Sequence, residues 1–245
     1  MDRQNKLDID DSSMRLDSFL GKAGVASRRS SADIIRSGRV EVNGNKVTEP
    51  GTRIKDADKV EVDSREVSLQ KKYYVMLNKP VGYYSTASDP HADKLVIDLV
   101  QIPGVRLYTA GRLDKDSEGL IILTNDGDYA ARLTHPRHGI LKRYEVTTDK
   151  TLCSADIQKM KQGIISEGEE IRAKDIRLIS GFCYQFIMGE GRKREVRRLV
   201  RYAGAKINRL KRIAVGGLNI GPLPSGKWRF LDENDIKLSL KQGVC

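Results

Sequence analysis

Gly111-Arg112-Leu113-Asp114-Lys115-Asp116-Ser117-Glu118-Gly119 lies between two apolar stretches, residues 107–110 and 119–123, that read as strands. Three carboxylates at alternate positions beside buried strands ask for a reason. Asp114, Asp116, Glu118 and Gly119 match positions one, three, five and six of an EF-hand calcium loop. That match fails further on: the twelfth position is Asn125, not a bidentate Glu, and Leu120-Ile121-Ile122-Leu123 continues as a strand where a calcium loop enters a helix. A glycosidase-like pair of carboxylates and a polar loop solvated by water both stay open on these residues alone.

Outward from this loop, Tyr74-Val75-Met76-Leu77 reads as a buried strand ending at Asn78-Lys79-Pro80. Further strands are predicted at 143–147 and 184–188, and helices near 127–133, 153–161 and 193–203. These elements follow no regular βαβ rhythm. The expected fold class is therefore α+β, a mixed and mainly antiparallel sheet with flanking helices, occupying residues 73–245. Residues 64–72 are polar and aperiodic and read as a linker.

Before the linker stands a smaller module, expected over residues 14–63. Leu16, Phe19 and Leu20 recur at helical spacing; a second helix starts after Ser27, whose hydroxyl can cap it, turns Ile34 and Ile35 inward, and ends at Gly38. Val40-Glu41-Val42, Asn43-Gly44 and Lys46-Val47 form a hairpin signal, and Lys59-Val60-Glu61-Val62 closes the unit. The second helix opens on Arg28-Arg29, two cations at the positive end of its dipole. With Arg36 and Arg39 they make a candidate phosphate-binding surface. Residues 1–13, with Asp8, Asp10 and Asp11, are expected to be a disordered lead-in.

Lys and Arg number 44 against 33 Asp and Glu in the 245 residues, a formal charge of +11. Such an excess implies a polyanionic partner, because each phosphate contact releases counterions. Residues 192–212 hold ten Lys or Arg against one acid, Glu195, a net of +9. A stretch this one-sided repels itself without a partner. No run long enough to span a bilayer exists, and the first residues lack the apolar core of a signal peptide. A soluble cytoplasmic protein with no membrane role is expected. Cys153, Cys183 and Cys245 form neither a disulfide set nor a metal clamp. His135 and His138 are spaced like a zinc pair, but Pro136 argues against the helix that would present them and no further ligand lies near. No metal is expected.

At the level of motifs the chain resembles a known family along nearly its whole length. Arg15-Leu16-Asp17-Ser18-Phe19-Leu20, Gly24-Val25-Ala26-Ser27-Arg28-Arg29 and Gly38-Arg39-Val40-Glu41-Val42-Asn43-Gly44 resemble the alpha-L (S-four) RNA-binding domain. Gly111-Arg112-Leu113-Asp114 with Ser117-Glu118-Gly119-Leu120 and Leu123-Thr124-Asn125-Asp126-Gly127 resembles the signature of the RsuA/RluB-type ribosomal RNA pseudouridine synthases. Asn78-Lys79-Pro80-Val81-Gly82 is similar to that family's opening motif, and Pro224-Ser225-Gly226-Lys227-Trp228-Arg229 to its closing one. The resemblance implies that Asp114 is the nucleophile. It implies that Leu133-Thr134-His135-Pro136 and Lys142-Arg143-Tyr144-Glu145-Val146 carry the active-site tyrosine, Tyr144, and that the segment from Gly189-Glu190-Gly191-Arg192 to Glu195-Val196-Arg197-Arg198 supplies a basic partner, Arg197. Arg143 departs from the small or β-branched residue expected before the tyrosine.

Elementary chemistry agrees with those roles. A nucleophilic carboxylate in a sheltered site needs a cation to stay ionised. On a helix whose apolar face is Val196, Leu199, Val200 and Ala203, Arg197 sits at the border, while Arg194, Arg198 and Arg201 are expected to face away toward RNA. Arg112, Arg192 and Lys193 are further candidate RNA contacts. Tyr144 offers a ring for the uracil face and a hydroxyl for proton transfer at carbon five. The target uridine would leave its stack before chemistry. Asp114 attacks the sugar or the base, and the reaction implies no cofactor. The expected partner is ribosomal RNA or a pre-ribosomal particle, bound by a monomer. The ending Leu223-Pro224-Ser225-Gly226-Lys227-Trp228-Arg229 resembles the large-subunit branch more than the small-subunit one. The rival reading is a noncatalytic ribosome-assembly factor that binds RNA with the same fold.

Overall fold

Short-range signals build the N-terminal unit. The computed structural model describes residues 13–86 and 92–243, so the expected lead-in, apart from Ser13, and Cys245 lie outside the described residues. Strand β1 (Met14–Arg15) leads into α1 (Leu16–Lys22) and α2 (Arg28–Arg36), followed by β2 (Val40–Val42), β3 (Asn45–Val47), β4 (Arg53–Ile54), β5 (Val60–Val62) and β6 (Arg65–Glu66). Ser27 caps α2 as expected, its Oγ accepting from the Ser30 amide at 3.1 Å. The β2–β3 turn needs two left-handed residues, and Asn43 (φ 53°) and Gly44 (φ 76°) supply them. Leu16, Leu20, Ile35, Val40, Ile54 and Val60 form this unit's core.

The stretch read as a linker begins with structure. Asp63 and Ser64 both adopt positive φ, and the tight turn they make lets β6 pair with β5 at Val62↔Arg65 and Glu61↔Glu66. Two-residue strands carry no periodicity, which is why the pattern alone missed it. Among the described residues, the first unit takes in those up to Lys71 together with Gly104–Arg106, and the second takes in the rest from Lys72 onward.

The second unit contains β7 (Tyr74–Lys79), β8 (Tyr108–Ala110), β9 (Glu118–Thr124), α3 (Gly127–Thr134), β10 (Lys142–Thr148), α4 (Ser154–Gln162), β11 (Ile164–Ser166), β12 (Glu169–Ile171), β13 (Asp175–Ser180), β14 (Cys183–Met188), α5 (Glu195–Tyr202), β15 (Ile207–Val215), β16 (Leu218–Asn219), β17 (Trp228–Phe230) and α6 (Glu233–Ser239). Its nine-stranded sheet runs β13-β14-β10-β15-β9-β7-β17, with β16 beside β15 and β8 beside β9. The pairings are antiparallel except β15 with β9. The α+β class read from the sequence is the one observed.

Two apolar clusters fasten helices to this sheet. Val196, Leu199 and Val200 of α5 and Met160 of α4 pack with Val146, Phe186 and Leu210. Tyr129 and Leu133 of α3 pack with Met76, Leu120 and Ile122. Each fully buried side chain of this size contributes about 1.5–3 kcal/mol, enough to set the position of a short helix.

The central strand β15 escaped the sequence reading, which took its cations for part of an RNA-holding surface. Arg209, Lys211 and Arg212 interrupt the apolar positions Leu210, Ile213, Ala214 and Val215, and Arg212 is only 5% exposed. Its charge is accommodated because Nε donates to the Leu120 carbonyl at 2.7 Å. A buried arginine inside a strand erases the alternation on which strand assignment relies.

Burial in this unit leaves a pH signature. Tyr74, Tyr108 and Tyr129 are pushed up to about 12, in each case chiefly by burial. An unfolded tyrosine ionises near its ordinary value of 10.0, so between about pH 10 and 12 the folded chain binds more protons than the unfolded one. Stability from these groups is complete below pH 10 and is lost as pH rises toward 12. Thermal unfolding across pH 9–12, with tyrosinate absorbance recorded in parallel, should show the midpoint falling while ionisation lags in the folded state. Ionisation at the free-tyrosine value before unfolding would contradict this.

Candidate active site

The acidic loop closes a hairpin, since β8 and β9 pair antiparallel from Tyr108↔Thr124 to Ala110↔Ile122. Its backbone is pinned from below by Lys79 at the end of β7, a side chain with no exposed surface. Lys79 Nζ donates to the carbonyls of Ser117 (2.6 Å), Asp114 (3.1 Å) and Pro80 (3.1 Å). Burial pulls its pKa down to about 8, partly offset by Asp116 and Asp114. Ser85 Oγ accepts from the Leu113 amide at 3.1 Å and donates to the Leu113 carbonyl at 2.8 Å, and the Gly82 amide donates to the Lys115 carbonyl at 2.7 Å. The loop is thus held through its main chain, which leaves its carboxylates free to face the cleft.

Asp114 is one-third exposed, with Oδ2 3.8 Å from Arg197 Nε and 3.9 Å from Arg194 Nη1. Arg197 is 13% exposed; its Nη2 donates to the Asp116 carbonyl (2.9 Å) and to Ser117 Oγ (3.2 Å), and lies 3.2 Å from Asp116 Oδ2. Burial lowers its pKa from the ordinary value while Asp116 and Asp114 oppose the shift. Arg197 Nε is buried without a hydrogen bond among the described residues. Such a group is costly unless an anion comes close, and the carboxylate it faces is that of Asp114. Asp116 shares the same two cations, with Oδ2 3.3 Å from Arg194 Nη2 and 3.2 Å from Arg197 Nη2, while Glu118 pairs with Arg209.

Tyr144 on β10 lines the same cleft as Asp114 and Arg197, and so do Arg112, Arg192 and Arg194. Lys193 lines an adjoining groove with Tyr84 and Lys115. The three residues expected to carry chemistry and four expected to meet RNA therefore converge from three regions of the chain. In the N-terminal unit Arg28, Arg29, Arg36 and Arg39 are exposed or half-exposed; Arg28 Nε lies 3.5 Å from Asp17 Oδ2, and Arg36 and Arg39 pair with Asp33 and Asp63.

Arg194 was expected to point away from the site and instead lies 3.3 Å from Asp116 and 3.9 Å from Asp114; Arg198 is a second correction. It was expected to face RNA, yet it is 3% exposed, with Nη1 2.9 Å from Glu169 Oε2 and Nε 3.2 Å from Ser166 Oγ. The β11–β12 hairpin covers that flank of α5, so this guanidinium fastens the hairpin instead of meeting a ligand. Helix α5 also starts later than expected, because Arg194 takes a left-handed conformation (φ 51°) at its N-cap. A non-glycine residue bears roughly 1–2 kcal/mol for that geometry, and here it accompanies a contact with Asp116.

Sequence reasoning gave no role to Lys79, Ser117, Lys142 or Glu195, and took Arg212 for one of many RNA-holding cations. Glu195 is 6% exposed, and burial pushes its pKa up to about 7. Lys142 is pulled down to about 8 by burial first and then by Arg212. Two of these had a visible signal: Lys142 stands two residues before Tyr144 on one strand face, and Glu195 is the lone acid of a basic run.

A cleft lined by Arg112, Arg192, Arg194 and Arg197 around an aspartate has the charge of a site that acts on a polyanion. Residues 14–60 match the S4 domain model, and residues 73–202 match the model described as RNA pseudouridylate synthase. The chain is 38% identical over 229 residues to an uncharacterized RNA pseudouridine synthase of Aquifex aeolicus, covering 91% of this chain and 92% of the relative. It is 36% identical to the ribosomal large subunit pseudouridine synthase B of Bacillus subtilis, covering 91% and 94%. With the dual-specificity RNA pseudouridine synthase RluF of Escherichia coli it shares 31% identity over 93% and 79%. A crystal structure of a pseudouridylate synthase superimposes with a TM-score of 0.68 at 27% identity, covering 92% of this chain and 99% of that one. The chain belongs to the RNA pseudouridylate synthase family and carries an N-terminal S4 domain; enzymes of this family are isomerases.

Proposed function

We propose that this enzyme isomerises a uridine of ribosomal RNA, in the large subunit, to pseudouridine, with Asp114 as nucleophile, Arg197 as the cation beside it and Tyr144 as the residue against which the base lies. The observation that carries the reading is the Asp114 carboxylate facing the Nε of Arg197 at 3.8 Å in a cleft that Tyr144 also lines. The designation of the Bacillus subtilis relative supports the choice of subunit.

Uridine and pseudouridine are isomers, so the net reaction moves no electron to or from the enzyme and calls for no redox cofactor. What the protein supplies is position and charge. A scissile bond inside stacked RNA is out of reach, so the nucleotide is extruded into the cleft. Arg112, Arg192, Lys193 and Arg194 hold the phosphates around it, and Arg28, Arg29, Arg36 and Arg39 of the S4 domain bind structured RNA elsewhere on the target. Arg198, being buried, drops out of that set. The enzyme acts as a monomer in the cytoplasm, on the ribosomal RNA or the pre-ribosomal particle.

Carbodiimide modification and reverse transcription of both ribosomal RNAs, in cells with and without this protein, test the proposal. One stop in the large-subunit RNA should disappear with the protein. Stops unchanged across both RNAs would refute the activity, and a lost stop in the small-subunit RNA would reassign the target.

A further inference from the structure

A second cavity adjoins the Asp114 cleft along Tyr144, Arg112 and Gly191. Its floor is aliphatic, made of Ile122, Leu133 and Val215, and its charged lining consists of Lys142, Arg212 and Arg112, with no carboxylate among the lining residues. Strand register produces this arrangement. Lys142 and Tyr144 lie two residues apart on one face of β10, and on the neighbouring β15 Arg212 stands opposite Tyr144 and Val215 opposite Lys142.

Three cations beside an apolar floor are unfavourable in an empty enzyme. Arg212 disfavours the charged form of Lys142; among the groups packed near it, Glu195 on α5 favours that form, but Glu195 is itself buried and titrates at about 7. An anion with a flat apolar face would satisfy both features at once. A phosphate has no such face and would lose its water against Ile122, Leu133 and Val215. The uracil ring, once released, has both.

We propose that this cavity is the chamber in which the detached uracil turns, and that Lys142, assisted by Arg212, is a further catalytic residue that carries the negative charge of the released ring. The inference rests on the reading of Asp114 as nucleophile. When the N1–C1′ bond breaks, its electron pair stays on N1 and the ring leaves as an anion, its charge spread over N1, O2 and O4, while the Asp114 oxygen takes C1′ as an ester. The ring turns, C5 displaces the Asp114 oxygen from C1′, and the proton lost from C5 is matched by the one gained at N1. Atoms and charge balance without another reactant. Charge develops on the ring only during the reaction, so preorganised cations there favour the transition state over the bound substrate. Tyr144 forms the wall between the two positions of the ring.

The test is single-turnover conversion of a ribosomal RNA transcript by the full-length enzyme at saturating protein, with Lys142→Met and Lys142→Arg. Lys142→Met is expected to lose roughly 100-fold in rate while RNA affinity changes little. Lys142→Arg should recover most of that loss. The wild-type rate should fall as pH rises through about 8, where Lys142, beside Arg112 and Arg212, loses its proton; Lys79 also titrates at about 8, so Lys142→Arg, whose guanidinium stays charged, should show a smaller fall than wild type. A Lys142→Met enzyme that reacts at the wild-type rate overturns the proposal. So does one whose only defect is weaker binding with a salt slope reduced by about one, the mark of a lost phosphate contact. Should Lys142→Met fail to fold, the Lys142→Arg profile decides, since an unchanged alkaline fall there overturns it equally. A wild-type enzyme that makes no pseudouridine removes the parent reading, a result distinct from any of these.

Discussion

Asp114→Asn is expected to abolish pseudouridine formation, by about 10⁴-fold or more, while leaving RNA binding intact or slightly tighter. An amide of nearly the same shape keeps the loop in place, because the loop is held by the Lys79 and Ser85 contacts to main-chain atoms and not by the Asp114 side chain. What it loses is the anion. Asn cannot form the bond that a nucleophilic carboxylate makes and be displaced again, so on the proposed reading the lost rate is that of a whole covalent path. Binding moves the other way: without the carboxylate, Arg194 and Arg197 face the cleft with one fewer opposing charge, and a phosphate backbone meets a more positive surface. Two measurements at one fixed salt concentration separate the effects: release of tritium from carbon five of labelled uridine in RNA, and equilibrium binding of the same RNA. An Asp114→Asn protein that releases tritium at the wild-type rate would remove Asp114 from the chemistry, and a wild-type protein that releases none would return the chain to the noncatalytic reading.

Gly119→Ala is expected to destabilise the second unit by about 3 kcal/mol or more and to disable the site with it. Gly119 has φ +105°, and a Cβ built there would lie 2.3 Å from the Arg212 carbonyl oxygen and 2.7 Å from the Arg212 nitrogen. Both are main-chain atoms of the adjoining strand and cannot rotate aside. The parallel contact of β9 with β15 has only two register pairs, Lys211↔Glu118 and Arg212↔Gly119, so the clash falls on half of it. Forcing these strands apart also disturbs the bond from the buried Arg212 guanidinium to the Leu120 carbonyl. At roughly 2–4 °C per kcal/mol for a chain of this size, the unfolding midpoint should fall by about 6–12 °C. Calorimetry checks the number. A midpoint within about 2 °C of wild type would mean that β9 and β15 separate far more easily than their spacing implies.

The elements legible in the sequence are those whose causes are local. The Ser27 cap, the Asn43-Gly44 turn and the apolar period of α5 each act within a few residues, and each appears where it was read. The grouping of Asp114, Tyr144 and Arg197 was legible for another reason: their motifs resemble a family in which these positions act together. The β6 hairpin, the β11–β12 hairpin and β17 were too short to show a period, and α6, opened by a capping box at Asp232 and Asp235, follows a stretch read only for its motif.

By itself the sequence determined the order of the two units, the mixed α+β class and the one-sided basic run from residue 192 to 212. Only the tertiary structure decided which cations meet solvent and which are consumed inside. Arg198 reaches Ser166 across 32 positions, Lys79 reaches Ser117 across 38, and Arg212 reaches Leu120 across 92. A charged side chain can be buried only where carbonyls and carboxylates converge to replace its water, and those partners arrive from strands that no local window of sequence contains.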